Sequence, residues 1–219
     1  MAERIARALS ERGELVLLRR DDALELRVNG VFVMDTAHTA TERALATATL
    51  RQVSGDGLRV LVGGLGLGFT LHEVLADPRV GEAVVAEIEP ALVDWHRQGL
   101  LPDGAAALGD ARVRLRVGDV ADVLQVGAPF DVVLLDVDNG PGYLVYEDNA
   151  EIYRSGFLTR CRDRLAAGGV LAVWSASPAP QLREALRAVF GDCTELDIPV
   201  VLGSTETSYL LYLAERPHS

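Results

Sequence analysis

From residue 58 onward, short apolar runs alternate with amphipathic segments along almost the whole chain. The apolar runs are rich in Val, Leu and Ile and predict buried strands, whereas the segments between them carry the period typical of helices. The predicted strands are LRVLVGG, AVVAEIE, RVRLRVGD, FDVVLLD, GGVLAVWS, CTELDIPVVL and TSYLLYLAER. The longest predicted helix covers about Asn149 to Leu165, and only a short crossover follows the third strand.

Five strand–helix units in succession indicate a parallel sheet that is covered by helices on both faces. No helix separates the last two strands, so one of them is predicted to run antiparallel at the edge of the sheet. We therefore predict that residues 54–219 form an α/β domain, with a doubly wound, Rossmann-like sheet of seven strands.

The first 53 residues follow a different pattern. MAERIARALSERGE is amphipathic and predicts a short helix, after which GELVLLRR, ALELRVNG and VFVMDT predict short strands. Asn29-Gly30 is typical of a two-residue hairpin turn. Thr39 and Glu42 have the spacing of a capping box and predict a helix that ends near Val53. Residues 1–53 are thus predicted to form a small helix and antiparallel β-hairpin unit with a linking helix.

Composition and charge exclude several classes of protein. The longest apolar runs are broken by glycine or end on an acid. They are therefore shorter than the about 18 residues that a membrane span needs. The net charge of −11 argues against a nucleic-acid partner, because phosphate contact needs a basic face. The two cysteines and four scattered histidines suggest neither a disulfide framework nor a metal site. We expect a cytoplasmic protein that acts on a small molecule without a metal.

The loop after the first predicted strand is rich in glycine. In GGLGLG, the residues Gly64, Gly66 and Gly68 allow the backbone to approach a ligand at the N-terminus of the next helix. A tight strand–helix turn selects glycine as well. The spacing differs from the dinucleotide pattern, so an NAD-linked oxidoreductase is the least favoured function.

Acidic residues follow the second and third predicted strands. An acid after the second strand can accept both ribose hydroxyls of an adenosine, and Glu87, nearer the strand end than Glu89, is the preferred candidate. Either glutamate could also be a solvated surface charge. Asp119 can accept an adenine amino group or can cap the next helix. With the glycine loop, these acids predict an adenosine pocket without a pyrophosphate site.

The fourth predicted strand ends on Asp136 and leads into the long polar loop LLDVDNGPGYLVYEDN. A carboxylate at this point of a doubly wound sheet is typical of a catalytic group, although it can also order a loop. The loop supplies the candidates for an acceptor pocket, each of which could equally serve loop packing. They are Asp138, Asn139, Tyr143 and Tyr146.

This order of features is similar to the class I S-adenosylmethionine-dependent transferase fold and resembles the spermidine synthase (polyamine aminopropyltransferase) family. The resemblance covers about Val28 to Trp174 and includes VNGVFVMD, TLHEVL, FDVVLLDV with its Gly-Pro loop, and GGVLAV. It implies that Asp136 is a general base that takes a proton from an amine, and that the loop to Asn149 is a lid. It also implies S-adenosylmethionine or its decarboxylated form as donor, and a homodimer.

Several positions depart from the pattern of that family. Asn139 stands where the family has a loop aspartate, and Leu67 stands where it has an aspartate in the glycine loop. Leu45 replaces a tyrosine in a motif that keeps its acid at Glu42, and Trp174 replaces a glutamine. The resemblance implies that the glycine-loop aspartate of the family binds the ammonium group of the decarboxylated donor. Leu67 in place of that aspartate leaves the ammonium charge unpaired, at a cost of about 1–3 kcal/mol. It also removes the repulsion that an aspartate would exert on the carboxylate of the intact donor. We therefore expect a changed acceptor or donor, not the orthodox putrescine reaction.

Two alternative functions fit the same residues. One is an S-adenosylmethionine-dependent small-molecule methyltransferase, and the other is a non-catalytic adenosine-binding module whose lid contacts a partner protein. The transferase hypotheses require that the glycine loop, Glu87 and Asp119 converge on one nucleoside and that Asp136 faces its sulfur.

Overall fold

The computed structural model describes residues 2–142, 144–202 and 205–218. In this part of the chain the strands form two sheets, an antiparallel one of four strands and a mixed one of seven. The smaller sheet contains, in spatial order, β1 (Glu3–Ser10), β2 (Gly13–Arg20), β3 (Ala23–Val28) and β4 (Val31–Asp35). The predicted small N-terminal β unit is therefore confirmed.

The N-terminal segment is a strand, so the predicted short helix is wrong. β1 pairs antiparallel with β2 through a turn that ends at Gly13, where φ is 128°. Along its second half Ala6 and Ala8 are partly buried whereas Arg7 and Leu9 are exposed, which is the two-residue period of a strand. The pairing with β2 stabilises this extended conformation, and a local amphipathic pattern does not reveal it.

The larger sheet has the strand order β10-β11-β9-β8-β5-β6-β7. Its members are β5 (Leu58–Gly63), β6 (Val80–Glu87), β7 (Val113–Val117), β8 (Phe130–Leu135), β9 (Leu165–Ser175), β10 (Thr194–Leu202) and β11 (Thr205–Glu215). The strands β5 to β9 are parallel, and β11 is antiparallel to both β9 and β10. The antiparallel strand thus exists as predicted, but it lies inside the sheet, and β10 forms the edge.

Helices cover both faces of this sheet. They are α1 (Ala40–Leu50), α2 (Phe69–Ala76), α3 (Pro90–Arg97), α4 (Gly104–Gly109), α5 (Val120–Val123), α6 (Ser155–Arg164), α7 (Pro180–Phe190) and a 3₁₀ helix at Glu147–Tyr153. Separate apolar clusters fill the two faces, one under α6 and α7 and the other under α1 and α2. No helix in the described ranges is long and apolar enough to cross a membrane.

Two predicted helical features are wrong. The single helix from Asn149 to Leu165 is divided at Arg154, whose extended backbone separates the 3₁₀ helix from α6. The capping box of α1 is absent, because the Thr39 side chain makes no cap bond and instead accepts a hydrogen bond from Arg43. Glu42 accepts a hydrogen bond from the Thr41 hydroxyl. The residue boundary at 53/54 between the two predicted units stays a prediction.

A third apolar cluster joins the small sheet to the larger domain. Leu17 and Met34 of the small sheet pack with Leu67 of the glycine loop and with Leu92 and Trp95 of α3. The Leu67 N–H also contacts the Met34 Sδ at 3.2 Å. The small sheet consequently covers the glycine loop and the carboxyl ends of β5 and β6.

We expect Leu67→Ala to lower the free energy of unfolding by about 2–5 kcal/mol, because Leu67 is buried in this cluster and alanine would leave a cavity. Urea unfolding followed by circular dichroism measures the change. Leu9→Ala is the control, since Leu9 is 69% exposed, and it should change stability by less than about 0.5 kcal/mol. Equal small effects of both substitutions would contradict the packing described here.

Candidate active site

The glycine loop lies directly against the end of β8. At Gly64 φ is 93°, and a Cβ there would stand 2.2 Å from the backbone oxygen of Asp136. Any side chain at Gly64 would therefore separate the loop from Asp136. Gly64 and Gly66 line a cavity at the carboxyl ends of the parallel strands. Gly68 lies behind it at the N-terminus of α2, next to the His96 ring.

Glu87 ends β6 inside this cavity and is buried. Its two carboxylate oxygens accept the backbone N–H groups of Leu65 and Glu89, each at 2.8 Å. Burial raises the pKa of Glu87, while those hydrogen bonds act to lower it. The predicted ribose-binding acid thus lies on the cavity wall, and the surface-charge alternative does not apply to it.

Asp119 lies on the same cavity wall, at the carboxyl end of β7. Its Oδ1 accepts the Ala121 N–H at 2.7 Å and so caps α5. Asp119 therefore caps the helix and also faces the cavity, and its contact with an adenine amino group stays a prediction. The structure brings together Gly64, Gly66, Glu87 and Asp119 as the sequence predicted.

Asp136 stands where β8 leaves the sheet, with its N–H bonded to the Gly63 oxygen at 2.8 Å. Its carboxylate accepts the Thr70 hydroxyl at 2.5 Å. Burial, and next the charge of Glu42, raise the pKa of Asp136 to about 7, against the lowering effect of the Thr70 hydrogen bond. A carboxyl group with such a pKa can exchange a proton near neutral pH.

A second acidic group lies beside Asp136, on the α1 face of the sheet. Glu42 of α1 is buried, and its pKa is raised by burial and by the charge of Asp35. The charge of Glu42 in turn raises the pKa of both Asp136 and Tyr209. Sequence reasoning did not select Glu42 as a site residue. The available signal was that the chain keeps Glu42 of a family motif, although Leu45 stands where that motif has a tyrosine.

Aromatic side chains border this acidic group. Trp174 of β9 packs edge-to-face on Tyr209 of β11, with ring centroids 5.0 Å apart. Because Leu135 of β8 pairs with Val173 of β9, Trp174 stands in β9 at the level where Asp136 follows β8. Neither Trp174 nor Tyr209 is among the described residues that line the cavity.

Asp138 orders the long loop after β8. The Asp138 backbone has a φ of 62°. Its carboxylate accepts hydrogen bonds from three backbone N–H groups and one side-chain amide. The donors are the backbone of Asn139, Val145 and Tyr146 and the Asn149 side chain, at 2.6–3.1 Å. Asp138 lies on the cavity wall, but both its oxygens are already engaged within the loop. Its predicted contact with substrate stays a prediction.

The other loop candidates are placed differently from one another. Tyr146 lines the cavity and donates its hydroxyl to Glu89 at 3.1 Å. Asn139 is buried, and its side-chain amide donates to the Phe32 oxygen at 3.3 Å, which ties the loop to β4. Tyr143 lies outside the described residues.

Two positions that depart from the family pattern lie in apolar clusters. Leu45 lies on the buried side of α1, in the cluster between that helix and the larger sheet, and Leu67 packs against the small sheet. Both are fully buried, and neither is among the described residues that line the cavity. The sequence comparison placed Leu67 beside the donor's ammonium, whereas its side chain contributes to packing.

Comparison with known proteins matches residues 38–189 to the spermine/spermidine synthase domain. Curated relatives include polyamine aminopropyltransferases of Mycobacterium tuberculosis, 29% identical over 75% of this chain and 31% of the relative, and of Bacillus mycoides, 30% identical over 63% and 48%. That of Nitrosomonas europaea is 31% identical over 63% and 43%. The chain thus spans between about a third and a half of the length of these relatives.

Solved structures agree with this assignment at the level of the fold. Spermidine synthase from Thermotoga maritima superimposes with a TM-score of 0.83 at 18% identity, over 99% of this chain and 74% of the other. A spermidine synthase in complex with the transition-state analogue AdoDATO gives a TM-score of 0.82 at the same identity. With a family domain over more than half of its length, the chain belongs to the spermine/spermidine synthase family.

Proposed function

We propose that this chain transfers an aminopropyl group from decarboxylated S-adenosylmethionine to an amine. The observation that carries the proposal is Asp136, a carboxyl group with a pKa of about 7 beside the acidic Glu42, on the wall of the cavity that Glu87 and Asp119 also line. The curated relatives named polyamine aminopropyltransferases support the same reaction.

The charge of the cavity favours the decarboxylated donor. Glu87, Asp119 and Asp136 line it, and no Lys or Arg is among its described lining residues. The carboxylate of intact S-adenosylmethionine would meet these acids without a cationic partner, whereas the decarboxylated form brings only positive charge. Leu67 does not bear on the choice of donor, because it is buried against the small sheet and is not among the described residues that line the cavity.

In the proposed reaction Asp136 takes a proton from the attacking ammonium and leaves a lone pair on the nitrogen. That nitrogen forms a bond to the carbon attached to the sulfonium. The carbon–sulfur bond breaks, its electron pair stays on sulfur, and a neutral thioether nucleoside leaves. Glu42, whose charge acts on Asp136, and Asp35, whose charge acts on Glu42, add negative charge near the proposed base, which favours a cationic acceptor of the polyamine class.

The methyltransferase and non-catalytic alternatives share the donor half of the site. The acidic pair of Asp136 and Glu42 favours amine chemistry over both, because the charge of Glu42 helps to raise the pKa of Asp136, on the cavity wall, towards neutrality, and because a cationic substrate would offset the two negative charges. The predicted departure from the putrescine reaction stays a prediction, as do the homodimer and the cytoplasmic location.

We expect the protein to bind decarboxylated S-adenosylmethionine at least about tenfold more tightly than the intact form, because the extra carboxylate would be buried among acids without a partner. Isothermal titration calorimetry with both compounds measures the ratio. 5′-Methylthioadenosine, which lacks the sulfonium, ammonium and carboxylate charges, is the reference ligand. Tighter binding of the intact donor would contradict the proposal and favour methyl transfer.

Asp136→Asn should lower kcat by about 10²–10⁴-fold, because the amide cannot accept the proton. Donor affinity should stay within about threefold, since Asp136 is not the ribose or adenine acid. Asp122→Asn is the matched control, as Asp122 is exposed on α5. Steady-state kinetics with a diamine and donor titration provide the measurements. Unchanged biological activity of Asp136→Asn would instead support the non-catalytic module.

Thr70→Val should shift the pH dependence of kcat towards alkaline pH. The Thr70 hydrogen bond lowers the pKa of Asp136, so its loss raises that pKa, and the deprotonated base forms only at higher pH. In the parent enzyme the rate should rise through a pH of about 7. Thr47→Val, on α1 and bonded only to helix carbonyls, is the control. A pH dependence of kcat that is the same in Thr70→Val as in the parent enzyme would contradict the role of Asp136 as the titrating base.

A further inference from the structure

His96 of α3 lies behind the glycine loop, and the proposed chemistry does not use it. It is 1% exposed, and it is not among the described residues that line the cavity. Its Nε2 lies 2.8 Å from the backbone oxygen of Gly66, which is a residue of the cavity wall. His96 therefore contacts the proposed donor site from behind, through the backbone of the loop.

The contact with Gly66 defines the protonation state of His96. A carbonyl oxygen only accepts a hydrogen bond, so Nε2 carries the proton and donates it to Gly66. Nδ1 is buried and has no hydrogen-bond partner within the described ranges, so a proton added there would find no acceptor. Burial lowers the pKa of His96, against the raising effect of the bond to Gly66. The imidazole is therefore neutral near neutral pH and acts as a hydrogen-bond donor.

Two glycines leave the space that the imidazole ring occupies. A Cβ at Gly104 of α4 would stand 2.3 Å from the His96 Nδ1, and a Cβ at Gly68 would stand 3.1 Å from the Cε1. A side chain at Gly104 would consequently displace the ring. Gly104 is itself not among the described residues of the cavity wall, so such a change would act on the cavity from outside it.

The other contacts of Gly66 show what the bond from His96 does for the loop. Gly66 has a φ of 50°, and a Cβ there would stand 2.7 Å from the Met34 Sδ, so the small sheet packs closely against it. The Gly66 N–H faces the Glu87 carboxylate, whose pKa it acts to lower. Because glycine adopts many backbone conformations, a Gly66 without the bond from His96 could turn its N–H away from Glu87.

We propose that His96 is a positioning residue for the donor, whose Nε2–H holds the Gly66 carbonyl and so keeps the glycine loop in the conformation that binds the nucleoside. The inference rests on the proposed function, since it assumes that the donor occupies this cavity. When only a fraction of the molecules has the binding conformation, the affinity falls by that fraction. Loss of the bond should therefore weaken donor binding and have little effect on the acceptor, which is proposed to meet Asp136.

The test compares His96→Met with His96→Gln. Both replace the ring with a flexible chain of similar length, but only glutamine keeps an N–H group that can donate to Gly66. By calorimetry, His96→Met should bind decarboxylated S-adenosylmethionine about tenfold more weakly than the parent protein, and His96→Gln should stay within about threefold of the parent. In steady-state kinetics the donor KM of His96→Met should rise by a similar factor, while the acceptor KM changes by less than about twofold.

Gly104→Ala tests the same bond without removing the imidazole, and it also serves if His96→Met does not fold. It should weaken donor binding by about fivefold or more, because the new Cβ displaces the ring. Gly109→Ala is the matched control in the same helix. A Cβ at Gly109 has no described atom within 4 Å, so this variant should bind the donor like the parent.

Equal donor affinity of His96→Met and His96→Gln, whether parental or reduced, would overturn the inference, because the hydrogen bond would then make no difference. Parental donor affinity in Gly104→Ala would overturn it as well. If the parent protein binds neither decarboxylated S-adenosylmethionine nor 5′-methylthioadenosine, the proposed function fails first, so the two failures are distinguishable.

Discussion

The contact between Gly64 and the backbone of Asp136 is the constraint on which the site depends. A Cβ at Gly64 would stand 2.2 Å from the Asp136 oxygen, so only glycine lets the β5 loop lie against the end of β8. Glu87, at the end of the neighbouring strand β6, stabilises the position of this loop by accepting a hydrogen bond from the Leu65 N–H. The proposed nucleoside loop and the proposed base are thereby held together by backbone geometry and one buried carboxylate.

Buried acids near this contact remain without cationic partners in the hydrogen bonds described. Asp136 is bonded to a threonine hydroxyl, Glu42 to another, and Glu89 to a serine and a tyrosine. Keeping carboxyl groups buried without a cation is unfavourable for the isolated protein. A positively charged donor and acceptor would relieve that repulsion, which connects the acidic character of the site to the proposed amine chemistry.

The alternation of strands and helices was predictable because each buried strand is an apolar run and each helix has its own period. The strand character of β1 was not, since it depends on pairing with β2. Gly64, Glu87 and Asp119 could be located from their positions at successive strand ends. The engagement of Asp138 by its own loop and the burial of Leu67 under the small sheet depend on tertiary contacts that spacing does not encode. Glu42 lies far from Asp136 in the chain, so its charge effect required the fold.

A crystal structure of the protein with 5′-methylthioadenosine tests the central claim most directly. The account predicts the ribose at Glu87, the adenine amino group at Asp119, and the sulfur facing Asp136 within the cavity under the small sheet. A nucleoside bound elsewhere, or bound with its sulfur directed away from Asp136, would contradict it.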